Sequence, residues 1–241
     1  MTTTVDAFLG GRVTLEQPAS GFRAGLDSVM LAAAVPARPG DTVLELGSGA
    51  GAAALCLMAR VERLTLIGLE IQDDYAALAR ANAERNKSAA RFLTADVERP
   101  PGALEPQSFD QVMMNPPFFV EGPADVSPDP TRRTAMSADP DLVPRWVAAA
   151  RRYLKPQGHF TAIIPTERLS ALLGALARGF GGTTIIPLWP DAVTPAKRIV
   201  VTAKLGSRAP LQLRPGLVLH ENGRNAAAAE AILRHAGPLA S

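Results

Sequence analysis

From Asp41 onward the hydrophobic positions switch repeatedly between two spacings. Short β-branched or apolar runs at Thr42–Leu46, Leu64–Glu70, Arg91–Ala95, Phe109–Met114 and His159–Ile164 read as strands. Between them, Ala52–Val61, Asp73–Asn86 and Leu142–Leu154 carry helical patterns, the last stopped by Pro156 and Gly158. This alternation implies parallel strands joined by crossover helices on both faces of a sheet. After Pro165 the pattern predicts a helix over Glu167–Arg178 and strands at Thr183–Leu188 and Ile199–Leu205, the two strands joined by the turn-rich PDAVTPAK. Two consecutive strands with no helix between them form an antiparallel pair. The expected fold class is therefore α/β, with a seven-stranded, mostly parallel sheet: five parallel strands and a final antiparallel hairpin.

The flanks are less regular. Residues 1–40 contain Gly10-Gly11, Gly21 and Gly25 and then a helix at Leu26–Val35, while PLQLRPGLVLHENG suggests an extra strand pair ahead of an alanine-rich helix, Asn225–His235. The expected organisation is a single domain: an extension and helix over 1–40, a core over 41–206 and an addition over 207–241. The longest irregular connection, Phe119–Asp141, holds Pro123, Pro128, Pro130 and Pro140. Loops of this length in a compact domain are often functional.

Composition narrows the chemistry. With 241 residues, 47% hydrophobic and 20% charged, the chain can bury a substantial core. Its net charge is only +2, so a polyanion must meet a local basic patch rather than a general field. Cys56 is the single cysteine and sits in an apolar run, which excludes an internal disulfide and reads as a core position. His159, His220 and His235 are scattered and no Cys/His cluster exists, so no metal is expected. No apolar stretch approaches the ~20 residues of a membrane span and no charged-then-apolar leader is present, which points to a soluble cytoplasmic protein without a membrane partner.

Chemistry concentrates at strand ends. In VLELGSGAG, residues 43–51, Gly47, Gly49 and Gly51 fall at a strand-to-helix turn, where glycine permits positive φ and close approach of a ligand to the helix N-terminus. Gly47-x-Gly49-x-x-Ala52 also fits a dinucleotide site, with Glu70 placed where a ribose-binding carboxylate belongs. The loop alone leaves NAD and S-adenosylmethionine open. Glu45, just before the glycines, can meet a cofactor amino group but would repel a pyrophosphate. Asp96, ending the third strand, can accept from an adenine amine. Three acids at successive strand ends fall on the carboxyl edge of a parallel sheet, where ligands bind.

MMNPPFFV, residues 113–120, ends the fourth strand at that same edge. Prolines cannot donate to a neighbouring strand, so the chain turns out of the sheet. An exocyclic amine is a poor nucleophile because its lone pair is delocalised into the ring. The Asn115 side-chain oxygen and the Pro116 carbonyl can accept both N–H hydrogens, aim the lone pair and stabilise the positive charge that develops on nitrogen. Pro116 and Pro117 keep the acceptors rigid, and Phe118 offers a stacking surface worth ~1–3 kcal/mol.

These motifs resemble the Rossmann-like class I S-adenosylmethionine-dependent methyltransferases, in the Asn-Pro-Pro-Phe form shared by amino-methylating members. The resemblance covers most of residues 20–205. GGRVTLEQPASGFRAGLDSVMLAAAVP, NPPFF, the loop with Arg132-Arg133 and the tail ENGRNAAAAEAIL together look most similar to the bacterial tRNA1(Val) adenine-N6 methyltransferase family. The resemblance implies that S-adenosyl-L-methionine is the cofactor and that an RNA, most simply tRNA, is the partner. It further implies that Arg23 and Asp27 lie against the cofactor pocket. Glu45, Gly47, Ser48, Gly49 and Gly51 would hold the methionine moiety, Glu70 the ribose and Asp96 the adenine, with Ile71 and Val97 also against the cofactor. Asn115, Pro116, Pro117 and Phe118 would form the amine site, Asn115 also bordering the cofactor. Phe118 stands where tyrosine is common in these enzymes, which keeps stacking and loses a hydroxyl.

Candidate substrate contacts are Phe119, Arg132, Arg133, Lys197 and Arg198, with Arg12 and Arg23 as further candidate phosphate partners. Glutamine N5 methylation of a protein and guanine N2 methylation of ribosomal RNA pose the same amine problem and are the alternatives within this chemistry. From other classes, an NAD-dependent oxidoreductase fits the glycine pattern alone, and a non-catalytic RNA-binding protein could keep the fold.

Overall fold

The computed structural model describes residues 2–20, 23–99, 101–102, 104–117 and 139–239. The chain opens with an antiparallel hairpin, β1 (Thr3–Phe8) and β2 (Val13–Pro18), followed by helix α1 (Leu26–Ala34). The alternating core then runs β3 (Thr42–Leu46), α2 (Ala52–Arg60), β4 (Thr65–Glu70), α3 (Asp73–Arg85), β5 (Arg91–Thr94) and β6 (Phe109–Met114). It continues with α4 (Leu142–Tyr153), β7 (Leu154–Pro165), α5 (Leu169–Leu176), β8 (Phe180–Trp189) and β9 (Arg198–Leu205). Short strands β10 (Gln212–Leu213), β11 (Leu217–Val218), β12 (His220–Glu221) and β13 (Arg224–Asn225) precede α6 (Ala227–His235).

Strands β3 to β7 pair in parallel, and β9 lies antiparallel between β7 and β8. Across the sheet the order is β10-β8-β9-β7-β6-β3-β4-β5, with β11 also beside β8. The five parallel strands and the closing hairpin are those expected from the periodicity. Strand order reverses at β3, which has β4 on one side and β6 on the other. A crevice forms at the carboxyl ends of strands at such a switch point.

Alternation along the strands feeds two cores. Val43, Leu66, Met113 and Ile163 face one, closed by residues of α1, α2, α3 and α6. Leu44, Leu46, Leu69, Val112 and Met114 face the other, closed by Trp146, Val147 and Ala150 of α4 and by Leu172 and Leu176 of α5. Burial on both faces is why these strands read as nearly continuous apolar runs.

Three features depart from the expectation. β7 starts at Leu154, five residues before His159, and passes through Pro156 because its register against β6 shifts between Phe109 and Gln111, where no ladder bond is required. The stretch PLQLRPGLVLHENG does not pair with itself. Its β10 and β11 segments each add in parallel to β8, and the small hairpin forms one step later between β12 and β13. The β1–β2 hairpin was not expected at all. It is held by two asparagines one turn apart, Asn82 of α3 and Asn86 at its C-cap. Asn82 accepts from the Glu16 amide (2.7 Å) and donates to the Glu16 carbonyl (2.9 Å), and Asn86 does the same with Thr14 (2.9 and 2.7 Å). Two side-chain amides thus take the place of a neighbouring strand.

Candidate active site

After Leu46 the chain turns through Gly47, Gly49 and Gly51, with φ of +70°, +53° and +87°, into α2. Glycine is required here twice over. Such φ values strain any residue with a Cβ, and a Cβ on Gly47 would lie 2.5 Å from the Trp146 ring, one on Gly51 2.8 Å from the Phe92 ring. The turn is pinned by the Ser48 amide donating to the Leu69 carbonyl (2.8 Å) and by the Asn82 side chain donating to the Ala50 carbonyl (3.0 Å).

Two acids sit behind the turn. Glu45 is 2% exposed, and its Oε2 has no hydrogen-bond partner. Burial pushes its carboxyl well above the usual range; a hydrogen bond from the Ala54 amide pulls against this, and repulsion from Glu70 adds to it. Glu70 is also raised by burial, opposed by amide hydrogen bonds, among them Gln72 to Oε1 (2.8 Å) and Gly49 to Oε2 (2.9 Å). The Ser48 hydroxyl is a second buried polar group without a partner. Such atoms cost about 1–3 kcal/mol each when left unpaired, so this cradle suits a ligand that brings hydrogen-bond donors. Ile71 lies half exposed next to Glu70, whereas Val97 is buried in the core on the opposite face. Asp96 closes its own turn, accepting from the Glu98 amide (2.9 Å) and from Arg99 Nε (3.3 Å).

Asn115 follows β6 directly. Met113 and Met114, just before it, pair in register with Glu45 and Leu46 of β3, which leads into the glycine turn. A cavity of about 240 Å³ opens between Asn115 and the segment Arg23–Ser28 at the start of α1. Pro116 is buried and Pro117 half-buried beside it. Phe118, Phe119, Arg132 and Arg133 lie outside the described residues.

Arg23 and Asp27 line this cavity, but their charges are already engaged. The Arg23 guanidinium binds Asp6 (2.6 Å), Thr4 Oγ1 (2.8 Å) and the Pro18 carbonyl (2.6 Å), tying the cavity wall to the β1–β2 hairpin. Asp27 pairs with Arg198 at 2.9 Å, which joins α1 to the start of β9. Arg198 is therefore a rim residue with a partner, while Lys197 is exposed. Arg12 reaches the His235 carbonyl at 3.4 Å. Trp146, Phe92 and Asn82 shape the glycine turn from distant elements and were not anticipated. For Asn82 a signal existed, in polar residues spaced i, i+4 on an alanine-rich helix. Among the described residues, no group of three or more His, Cys, Asp or Glu is placed to hold a metal ion, and no helix is long and apolar enough to cross a membrane.

Residues 23–186 match the family described as the methyltransferase small domain. The chain belongs to this methyltransferase family. It is 31% identical over 175 residues to a Porphyromonas gingivalis protein named tRNA1(Val) (adenine(37)-N6)-methyltransferase, a match spanning 69% of this chain and 68% of that one. A protein of the same name from Shewanella halifaxensis is 27% identical over 159 residues, 65% of this chain and 63% of that one. A solved structure from Agrobacterium tumefaciens, described as a predicted O-methyltransferase, superposes with a TM-score of 0.73 at 25% identity, covering 89% of this chain and 99% of that one. The fold is thus the Rossmann-like class I methyltransferase fold, and family membership sets aside the oxidoreductase and the non-catalytic binder.

Proposed function

We infer that this methyltransferase transfers a methyl group to the exocyclic N6 amine of an adenine in tRNA. S-adenosyl-L-methionine is the cofactor, and when bound it supplies an electrophilic methyl carbon on a sulfonium. The observation that carries the reading is the position of Asn115, directly after β6, whose parallel neighbour β3 leads into the glycine turn, and in the lining of the cavity it shares with Arg23–Ser28.

In this reading the unpartnered Glu45 and Ser48 oxygens take the donors of the methionine moiety, and Glu70 takes the ribose hydroxyls. Asp96 and Ile71 border the adenine. Asn115 Oδ1 and the Pro116 carbonyl accept the two N–H hydrogens of the target amine and orient its lone pair toward the methyl carbon. They also stabilise the positive charge on nitrogen until its proton leaves to solvent. The rigid Pro116-Pro117 turn avoids reorganisation during transfer. An attacking hydroxyl carries a single hydrogen, so the paired acceptors favour an amine over the oxygen chemistry named for the Agrobacterium structure. Lys197 meets RNA phosphate.

The test is methylation of tRNA, ribosomal RNA and release factor in parallel, with nucleoside mass spectrometry of the RNA. The expected product is N6-methyladenosine in tRNA alone. Asn115→Ala should cut turnover about 100- to 1,000-fold while S-adenosylhomocysteine binding stays near wild type. Full turnover by that variant would refute the amine site, and labelling of release factor or of guanine in ribosomal RNA would refute the substrate.

A further inference from the structure

Strand β2 turns Val13, Leu15 and Gln17 to one side, and all three are buried. An amide at the third place of an apolar stripe costs free energy unless its polar atoms find partners. Gln17, only 2% exposed, has them on the wall of the cavity. Its Oε1 accepts from the Ala24 amide at 2.7 Å, and its Nε2 donates to the Ala24 carbonyl at 3.4 Å and to Asp6 Oδ2 at 3.0 Å. Ala24 lies ahead of α1 in neither strand nor helix, so this side chain serves its backbone as a neighbouring strand would.

The surroundings extend the contact in both directions. The same Asp6 oxygen accepts from Arg23 at 2.6 Å, which fastens a second residue of the wall. Glu16, the residue before Gln17, is bound through its backbone to Asn82, which also donates to the Ala50 carbonyl of the glycine turn (3.0 Å). Adjacent residues of β2 thus hold the glycine turn and the segment Arg23–Ser28, which lines the cavity with Asn115.

We propose that Gln17 is a positioning residue that sets the wall Arg23–Ser28 relative to the glycine turn and so fixes the shape of the cavity beside Asn115. It acts through the Ala24 backbone. The consequence for turnover rests on the reading of the protein as an RNA methyltransferase.

The experiment compares wild type, Gln17→Met, Gln17→Glu and Leu15→Ala by steady-state tRNA methylation, thermal melting and peptide-level hydrogen exchange. Methionine keeps the length and the apolar stripe but loses both bonds to Ala24. Its kcat should fall about tenfold or more, because misplacement by ~1 Å can cost about 100-fold, while KM for tRNA stays within about threefold of wild type. Exchange in peptides covering Arg23–Ser28 should quicken about tenfold, and peptides of β3 and β6 should keep wild-type rates. Leu15→Ala weakens the same hairpin without touching the wall. It should melt earlier than Gln17→Met yet keep wild-type kcat well below its melting temperature. Gln17→Glu has no hydrogen for the Ala24 carbonyl once ionised, so it should lose kcat and wall protection too, and it carries both readouts should Gln17→Met fail to fold. Wild-type exchange in the wall of a folded Gln17→Met, or a kcat loss in Leu15→Ala as large as in Gln17→Met, would overturn the proposal while leaving the tRNA activity standing. Wild type that methylates no RNA would instead remove the functional reading, and exchange alone would then decide whether Gln17 holds the wall.

Discussion

A carboxyl group as enclosed as Glu45 keeps its proton to a higher pH than the same residue in the unfolded chain, because burial disfavours the charged form. Between the ordinary glutamate value of about 4.3 and its own raised value, the native state holds a proton that the unfolded state has released. Stability of the ligand-free protein should therefore fall as pH rises through that window. Glu45→Gln removes this term. The variant should melt above wild type at pH near 8 and change less on going from mildly acid to alkaline buffer. It should also bind S-adenosylhomocysteine about tenfold more weakly, the low end for a hydrogen bond to a charged group. Melting curves across pH and a binding titration check the two halves, and a variant that gained no stability would contradict the buried, unpartnered placement of Oε2. Glu45 was legible in sequence as a strand-end acid. Its orphaned oxygen was not, since that depends on what packs around it.

At the scale of elements, the docking of the β1–β2 hairpin shows how local rules mislead. Asparagine in a helix interior usually reads as a wet or weakening residue, because its side chain competes with the backbone. Asn82 is instead fully buried and makes three hydrogen bonds to backbone groups, two on Glu16 and one on Ala50. Asn82→Ala would leave those groups unpaired in the interior. The expected cost is about 3 kcal/mol, or roughly 6–12 °C in Tm for a chain of this size, measurable by calorimetry. Because Asn82 also holds the Ala50 carbonyl, S-adenosylhomocysteine affinity should drop with it. A variant that melts like wild type would show that the hairpin docks by other means. The alanine-rich pattern of α3 was readable from the chain, whereas the partner of its polar pair was not, lying 66 residues away.

For the whole molecule, the end of the sheet opposite the site is fastened by Asp110. Its carboxylate accepts from the Thr42 amide (2.9 Å) and hydroxyl (2.7 Å) and from Lys155 Nζ (2.9 Å), joining β3, β6 and β7. Burial alone would raise this aspartate, but the Thr42 and Lys155 contacts outweigh it and leave its pKa lowered. The stabilisation is present above the unfolded value of about 3.9 and is lost as pH falls through the lower folded value. Asp110→Asn should therefore lower Tm at neutral pH and flatten the loss on acidification; equal acid sensitivity in both proteins would show that Asp110 is not a fastening point. The sequence by itself determined the strand and helix periods, the glycine turn and the acids and asparagine at the carboxyl ends of β3, β4, β5 and β6. Each of these follows from spacing within one strand-loop-helix unit. Only the tertiary structure decided that Arg23 turns to Asp6, that Asp27 meets Arg198 from 171 residues away, and that Trp146 closes on Gly47. Charge pairs and aromatic contacts of that range leave no periodic trace along a chain, because their geometry exists only after the sheet has brought its edges together.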